Sequence, residues 1–113
     1  MPWYRVATVS DVKPDMPVAV AIGHSRLAVY RVGDAFYAME DVCPHAHALL
    51  STGFIEDDCV ECPLHSARFH IVTGKCLAPP ADRDLVTFPV KVEDNGIFVE
   101  LQVELDVAAE LLP

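Results

Sequence analysis

Two short segments, Cys43-Pro44-His45 and Cys62-Pro63-Leu64-His65, constrain the fold of this chain more than any other feature. Each carries one thiol and one imidazole, and 16 residues separate His45 from Cys62. A fold that uses them together must bring two loops side by side and hold both stiffly. The proline directly after each cysteine locks φ and removes an amide donor, which suits a ligand loop and not a strand or helix interior. The cysteine-to-histidine spacing differs by one residue, so the segments are not copies of one turn. Singly, a cysteine is usually a small buried apolar group, and a histidine a surface or hydrogen-bonded residue. Four such residues in two matched turns point instead to a soft transition-metal centre with sulfur and nitrogen donors in equal number.

Two centres use that donor set. One is a tetrahedral Cys2His2 zinc ion; the other is a two-iron, two-sulfide cluster in which two His replace two Cys on one iron. Ordinary zinc fingers group their cysteines together and take the histidine pair from a helix. Here each loop is mixed, and no helical pattern surrounds His65. Mixed loops suit a binuclear centre, because each loop reaches across both metals.

The sequence Cys43-Pro44-His45, then Ala48-Leu49-Leu50-Ser51-Thr52-Gly53, then Val60-Glu61-Cys62-Pro63-Leu64-His65, then Arg68-Phe69 and Thr73-Gly74-Lys75, resembles the Rieske iron–sulfur signature. Length and tail resemble the small soluble Rieske ferredoxins that serve bacterial aromatic-ring-hydroxylating dioxygenases. The resemblance runs from Trp3 to about Leu101 and implies one [2Fe–2S] cluster, with Cys43 and Cys62 on the inner iron and His45 and His65 on the outer one. It also implies an electron carrier rather than an enzyme, with an NAD(P)H-dependent flavoprotein ferredoxin reductase as donor and a terminal Rieske non-haem iron dioxygenase as acceptor. A small accessory subunit of a nitrite-reductase-like complex is the other reading. Ser66 stands where the family usually has glycine, and Ala46 and His47 stand where glycine and a small or acidic residue are common; none of these removes a ligand. High-potential relatives carry a disulfide between the ligand loops and two hydroxyls aimed at cluster sulfurs. The matching positions here are Ala48 and Leu64, and Ala67 and Phe69, so a potential near the bottom of the His-ligated range is expected.

Cys59 and Cys76 lie in apolar stretches and read as small core fillers. His24 reads as a solvated turn residue, and His47 and His70 as bystanders to the site. A complete oxygenase is not expected, since a mononuclear iron held by two His and a carboxylate would need a second domain.

The 113 residues suit a single domain spanning 1–113, with 52% apolar residues for its core. A net charge of −9 disfavours nucleic acid and favours partners with basic patches. No apolar run is long enough to span a bilayer, and the start Met1-Pro2-Trp3-Tyr4-Arg5 lacks the apolar core of a secretory signal. A cytoplasmic monomer without membrane contact is expected.

The chain reads as short strands between turns, the pattern of an all-β fold of stacked antiparallel sheets. Expected strands are Trp3–Thr8, Val18–Ile22, Leu27–Val32, Phe36–Met39, Phe54–Ile55, Cys59–Glu61, Arg68–His70, Lys75–Cys76, Val86–Val92 and Ile97–Val103. Gly33-Asp34 and Asn95-Gly96 mark hairpin turns. Residues 41–80, with all four ligands, read as a small cluster-binding subdomain on a base β-sandwich or barrel, closed by Pro79-Pro80. Asp106–Leu112 has helix formers.

Overall fold

The strands assemble into three antiparallel sheets laid one on another. The computed structural model describes residues 3–43, 48–64, 67–78 and 83–101. Among them are β1 (Trp3–Thr8), β2 (Val18–Ile22), β3 (Ser25–Val32), β4 (Ala35–Glu40), β5 (Phe54–Glu56), β6 (Cys59–Glu61), β7 (Arg68–His70), β8 (Cys76–Ala78), β9 (Thr87–Phe88), β10 (Val90–Glu93) and β11 (Gly96–Glu100). The orders are β1-β11-β10, β2-β3-β4-β9 and β5-β6-β7-β8. Asp106–Leu112 and Pro79-Pro80 lie outside the described residues.

The central sheet is covered on both faces, and β3 shows why. Leu27 and Val29 join a core with Ala38, Ile97 and Val99 on one side. Ala28 and Tyr30 join a second core, which contains Cys43, Cys62 and Phe69, on the other. A strand buried on both faces has no reason to alternate apolar with polar, which explains the unbroken run Leu27-Ala28-Val29-Tyr30. The third sheet, β5 to β8, is covered on one face only. Its inward row is Ile55, Val60, Phe69 and Cys76, and its outward row runs Phe54, Glu61, Arg68.

Two expectations need correction. The stretch Val86–Val92 is two strands: β9 pairs with β4 and β10 with β11, so the chain changes sheets at Pro89. Proline has no N–H for a ladder; its carbonyl still accepts the amide of Glu100 at 3.1 Å. The last hairpin turns one residue earlier than Asn95-Gly96. Asp94 and Asn95 occupy the turn with φ of 49° and 64°, and Glu93 pairs with Gly96. Two positive φ values suit a type I′ turn, which Asp and Asn tolerate. Gly96 answers a different need: a Cβ there would lie 2.8 Å from Arg5 Nε and 3.1 Å from the Phe98 ring. The hairpin at Gly33-Asp34 forms as expected, with Gly33 at φ 61°.

Candidate metal centre

The first candidate loop grows out of β4. Beyond Glu40 the chain doubles back on itself as a miniature hairpin. Leu50 N–H donates to Asp41 O at 2.7 Å, Val42 bridges Leu49, and Cys43 N–H donates to Ala48 O at 2.9 Å. Asp41, 1% exposed, locks the far arm: its carboxylate accepts Ser51 N–H at 2.7 Å and Ser51 Oγ–H at 2.8 Å. Its own amide donates to Arg26 O of β3 at 3.0 Å, so one residue joins the loop to the central sheet.

The second loop continues the β6–β7 ladder. Glu61 pairs with Arg68, and Cys62 N–H then donates to Ala67 O at 2.9 Å. Both cysteines therefore close their loops with the same bond, from their own N–H to the carbonyl five residues on. In this respect the two segments are geometric equivalents, although their histidines stand one residue out of step.

A close backbone approach brings the loops together. A 3-10 turn at Leu50–Thr52 carries the first loop's far arm to Gly53, which lies against the Glu61 carbonyl. A Cβ at Gly53 would overlap that oxygen, and the residue directly after it forms Phe54–Glu61, the first pair of the third sheet, adjoining Cys62. Glycine is required here for contact, its φ of −85° being ordinary.

Cys43 and Cys62 are 2% and 1% exposed and belong to one buried cluster with Ala48, Ala67 and Phe69. Leu64, two residues past Cys62, is 66% exposed, so the second loop runs from core to surface within three residues. All four cysteines are thiols without disulfides. His45 and His65, with Ala46, His47 and Ser66, lie outside the described residues. Two buried thiols on stiff twin hairpins are a suitable anchor for a sulfur-ligated metal centre, and thiolate is the form that binds.

The neighbouring residues divide into tuned and idle groups. Ala48, Ala67 and Phe69 are buried and Leu64 exposed, so none of these positions offers a hydroxyl or a second cysteine. Cys59 departs from the core filler expected of it: it points to the outer face, in a shallow groove of about 270 Å³ with Phe54, Glu61 and Arg68, because it shares the outward side of β6 with Glu61. Partial burial, aided by Asp57 and Asp58 and opposed by Arg68, pushes its thiol up from the ordinary range. It is half-buried, as is Cys76 on the inward row, and Cys76 packs against the core as a filler would. His70 accepts Val72 N–H on Nδ1 at 3.2 Å, a turn-stabilising role, and His24 sits in the exposed β2–β3 turn.

Sequence reasoning missed Asp41, Tyr30 and Glu40. Asp41 was legible as an acidic residue two before Cys43, facing the serine of Leu50-Ser51-Thr52-Gly53. Glu40 accepts Arg83 Nη1 at 2.9 Å, Arg83 Nη2 at 3.1 Å and Val86 N–H at 2.6 Å. Burial alone would raise its carboxyl, but these bonds and the Arg83 charge outweigh burial and hold it below the usual value. This pair ties the end of β4 to the segment that returns from the third sheet. Nothing in the sequence marked residues 43 positions apart as partners.

Comparison with known proteins agrees with this geometry. The family described as Rieske [2Fe-2S] domain matches residues 2–89. The anthranilate 1,2-dioxygenase ferredoxin subunit of Burkholderia cepacia is 37% identical over 99 residues, which cover 88% of this chain and 92% of that protein. The structure of Sphingomonas yanoikuyae B1 ferredoxin superimposes with a TM-score of 0.85 at 32% identity, covering 89% of this chain and all of that one. A ferredoxin seen in a complex of reduced oxygenase and oxidized ferredoxin in carbazole 1,9a-dioxygenase superimposes with a TM-score of 0.81 at 39% identity, over 88% of this chain and 97% of that one.

Proposed function

Since the chain belongs to the Rieske [2Fe-2S] domain family, we propose that it is a single-domain electron carrier, with Cys43, His45, Cys62 and His65 holding the cluster. The cluster, when bound, takes up and gives back one electron. The chain's own residues do the rest. Cys43 and Cys62 anchor sulfur in the core, where their 2.9 Å amide bonds and the Asp41–Ser51 lock resist rearrangement when the charge changes. A stiff site keeps the reorganisation on electron transfer small, in the way that pre-set dipoles do for other charge-forming steps. Two imidazoles in place of two thiolates remove negative charge and make reduction easier than in an all-cysteine cluster.

The donor in this reading is an NAD(P)H-dependent flavoprotein reductase and the acceptor a terminal aromatic-ring dioxygenase. The chain works as a monomer in the cytoplasm. Support comes from a relative named as a dioxygenase ferredoxin subunit and from a solved ferredoxin, both matched over nearly their full length, and from the neighbour solved with its oxygenase. Among the described residues no helix is long and apolar enough to cross a membrane. A charge of −9 suits brief, salt-sensitive docking to basic surfaces. The observation that carries the proposal is the pair of equivalent loops with a buried thiol at the root of each. EPR of the dithionite-reduced protein, with acid-labile sulfide measured on the same sample, tests it. A rhombic signal from a mixed-ligand two-iron cluster is expected; colourless, sulfide-free protein from iron-replete cells would end the proposal.

A further inference from the structure

Tyr30 presents an unsolved polar group in the core. It stands on β3, 1% exposed, and its hydroxyl has no hydrogen-bond partner among the described residues. Leaving a buried hydroxyl unpaired forfeits its hydration with nothing in exchange, and a phenylalanine would fill the same volume without that cost. The chain uses phenylalanine elsewhere in this same core, at Phe69.

Three observations locate what the hydroxyl faces. Tyr30 shares its buried cluster with Cys43, Cys62, Ala67 and Phe69 and not with the residues of the other core. The phenol is held protonated chiefly by burial and then by the charge of Asp41, the residue at which the first loop begins. Both Asp41 oxygens already accept Ser51 donors, at 2.7 and 2.8 Å. The other buried members of the Tyr30 cluster are apolar side chains and the two thiols, Cys43 and Cys62.

Resting on the function proposed above, we propose that the Tyr30 hydroxyl donates a hydrogen bond to a sulfur of the cluster, from the central sheet beneath it. Tyr30 then sets the carrier's potential from a strand outside both ligand loops. A donor of this kind stabilises the reduced, more negative cluster over the oxidised one, offsetting part of what Ala67 and Phe69 withhold.

The test is voltammetry of the cluster-bearing protein and its Tyr30→Phe variant. The variant should favour the oxidised form by about tenfold, a downward shift of about 59 mV for a one-electron couple. Deuteron ENDOR of the reduced cluster in heavy water should lose one exchangeable coupling in the variant. Should the variant fail to assemble a cluster, biosynthetic replacement of all tyrosines by 3-fluorotyrosine keeps the test open. Its more acidic hydroxyl should raise the potential. An unchanged potential in either protein, or a variant that is more stable with every deuteron coupling retained, overturns the assignment. Wild-type protein lacking labile sulfide overturns the preceding proposal and this one together, whereas a cluster-bearing wild type with an indifferent variant overturns this one alone.

Discussion

Asp41 and Ser51 offer a sharp test of how the first ligand loop is held. The carboxylate is 1% exposed and accepts Ser51 N–H and Oγ–H at 2.7 and 2.8 Å. Removing the hydroxyl in Ser51→Ala deletes one charge-assisted bond, worth about 1.5–3 kcal/mol. Asp41→Asn keeps the shape but offers one acceptor oxygen to two donors, so it loses one of the same bonds and costs a similar amount. The double variant cannot lose the hydroxyl bond twice. Its cost should fall short of the sum by about 1–2 kcal/mol, within the range seen for residues in one network. For a domain of this size each kcal/mol moves the midpoint of thermal unfolding by about 4–8 °C. Circular dichroism read beside the visible cluster absorbance measures the four proteins. Both single variants should also lose cluster colour earlier in the melt than the wild type, because loop and metal are coupled. Costs that add to within about 0.5 kcal/mol would refute the reasoning, since residues that share two bonds cannot act independently.

Three further outcomes follow from other parts of the molecule. Glu40→Gln should flatten the acid limb of the stability curve. The carboxyl's lowered pKa adds stability that is present above its ordinary value of 4.5 and lost as pH falls through the folded value, and urea titrations across that window measure it. Ala67→Ser combined with Phe69→Tyr should raise the midpoint potential by placing two hydroxyls in the buried positions beside Cys62, and voltammetry that shows no rise would count against the surroundings assigned to the sulfurs. Asp58→Gly should stabilise the β5–β6 hairpin by about 0.5–1 kcal/mol, since Asp57 and Asp58 both hold positive φ, at 51° and 62°, and glycine is the residue that a type I′ turn prefers second; a lower urea midpoint would contradict that reading of the turn.

The sheet pattern was legible where one strand meets one sheet. Trp3–Thr8, Val18–Ile22, Cys59–Glu61 and Arg68–His70 begin and end where the sequence places them. Legibility failed where tertiary packing chose between local options. Pro89 reads as a blemish in one strand, and the structure makes it the point where the chain passes from the central sheet to the sheet of β1, β11 and β10. Asn95-Gly96 reads as the better turn dipeptide, but Gly96 lies in the strand, where a Cβ would crowd the Arg5 side chain and the Phe98 ring.

The candidate centre divides in the same way. Ligand identity is local chemistry: Cys43, His45, Cys62 and His65 are recognisable by residue type and spacing, whatever surrounds them. What surrounds them is decided by contacts between distant positions. Asp41 meets Ser51 and Gly53 meets Glu61 only once the chain has folded back on itself, and Glu40 meets Arg83 only after the chain has returned from the third sheet. Tyr30 shows the limit most plainly. In sequence it is one apolar-run residue among four, and only the layering that buries both faces of β3 delivers its hydroxyl to the core that holds the two thiols. Short-range order follows from backbone and side-chain preferences that each segment carries by itself, whereas a core position acquires its meaning from the residues that other segments bring to it.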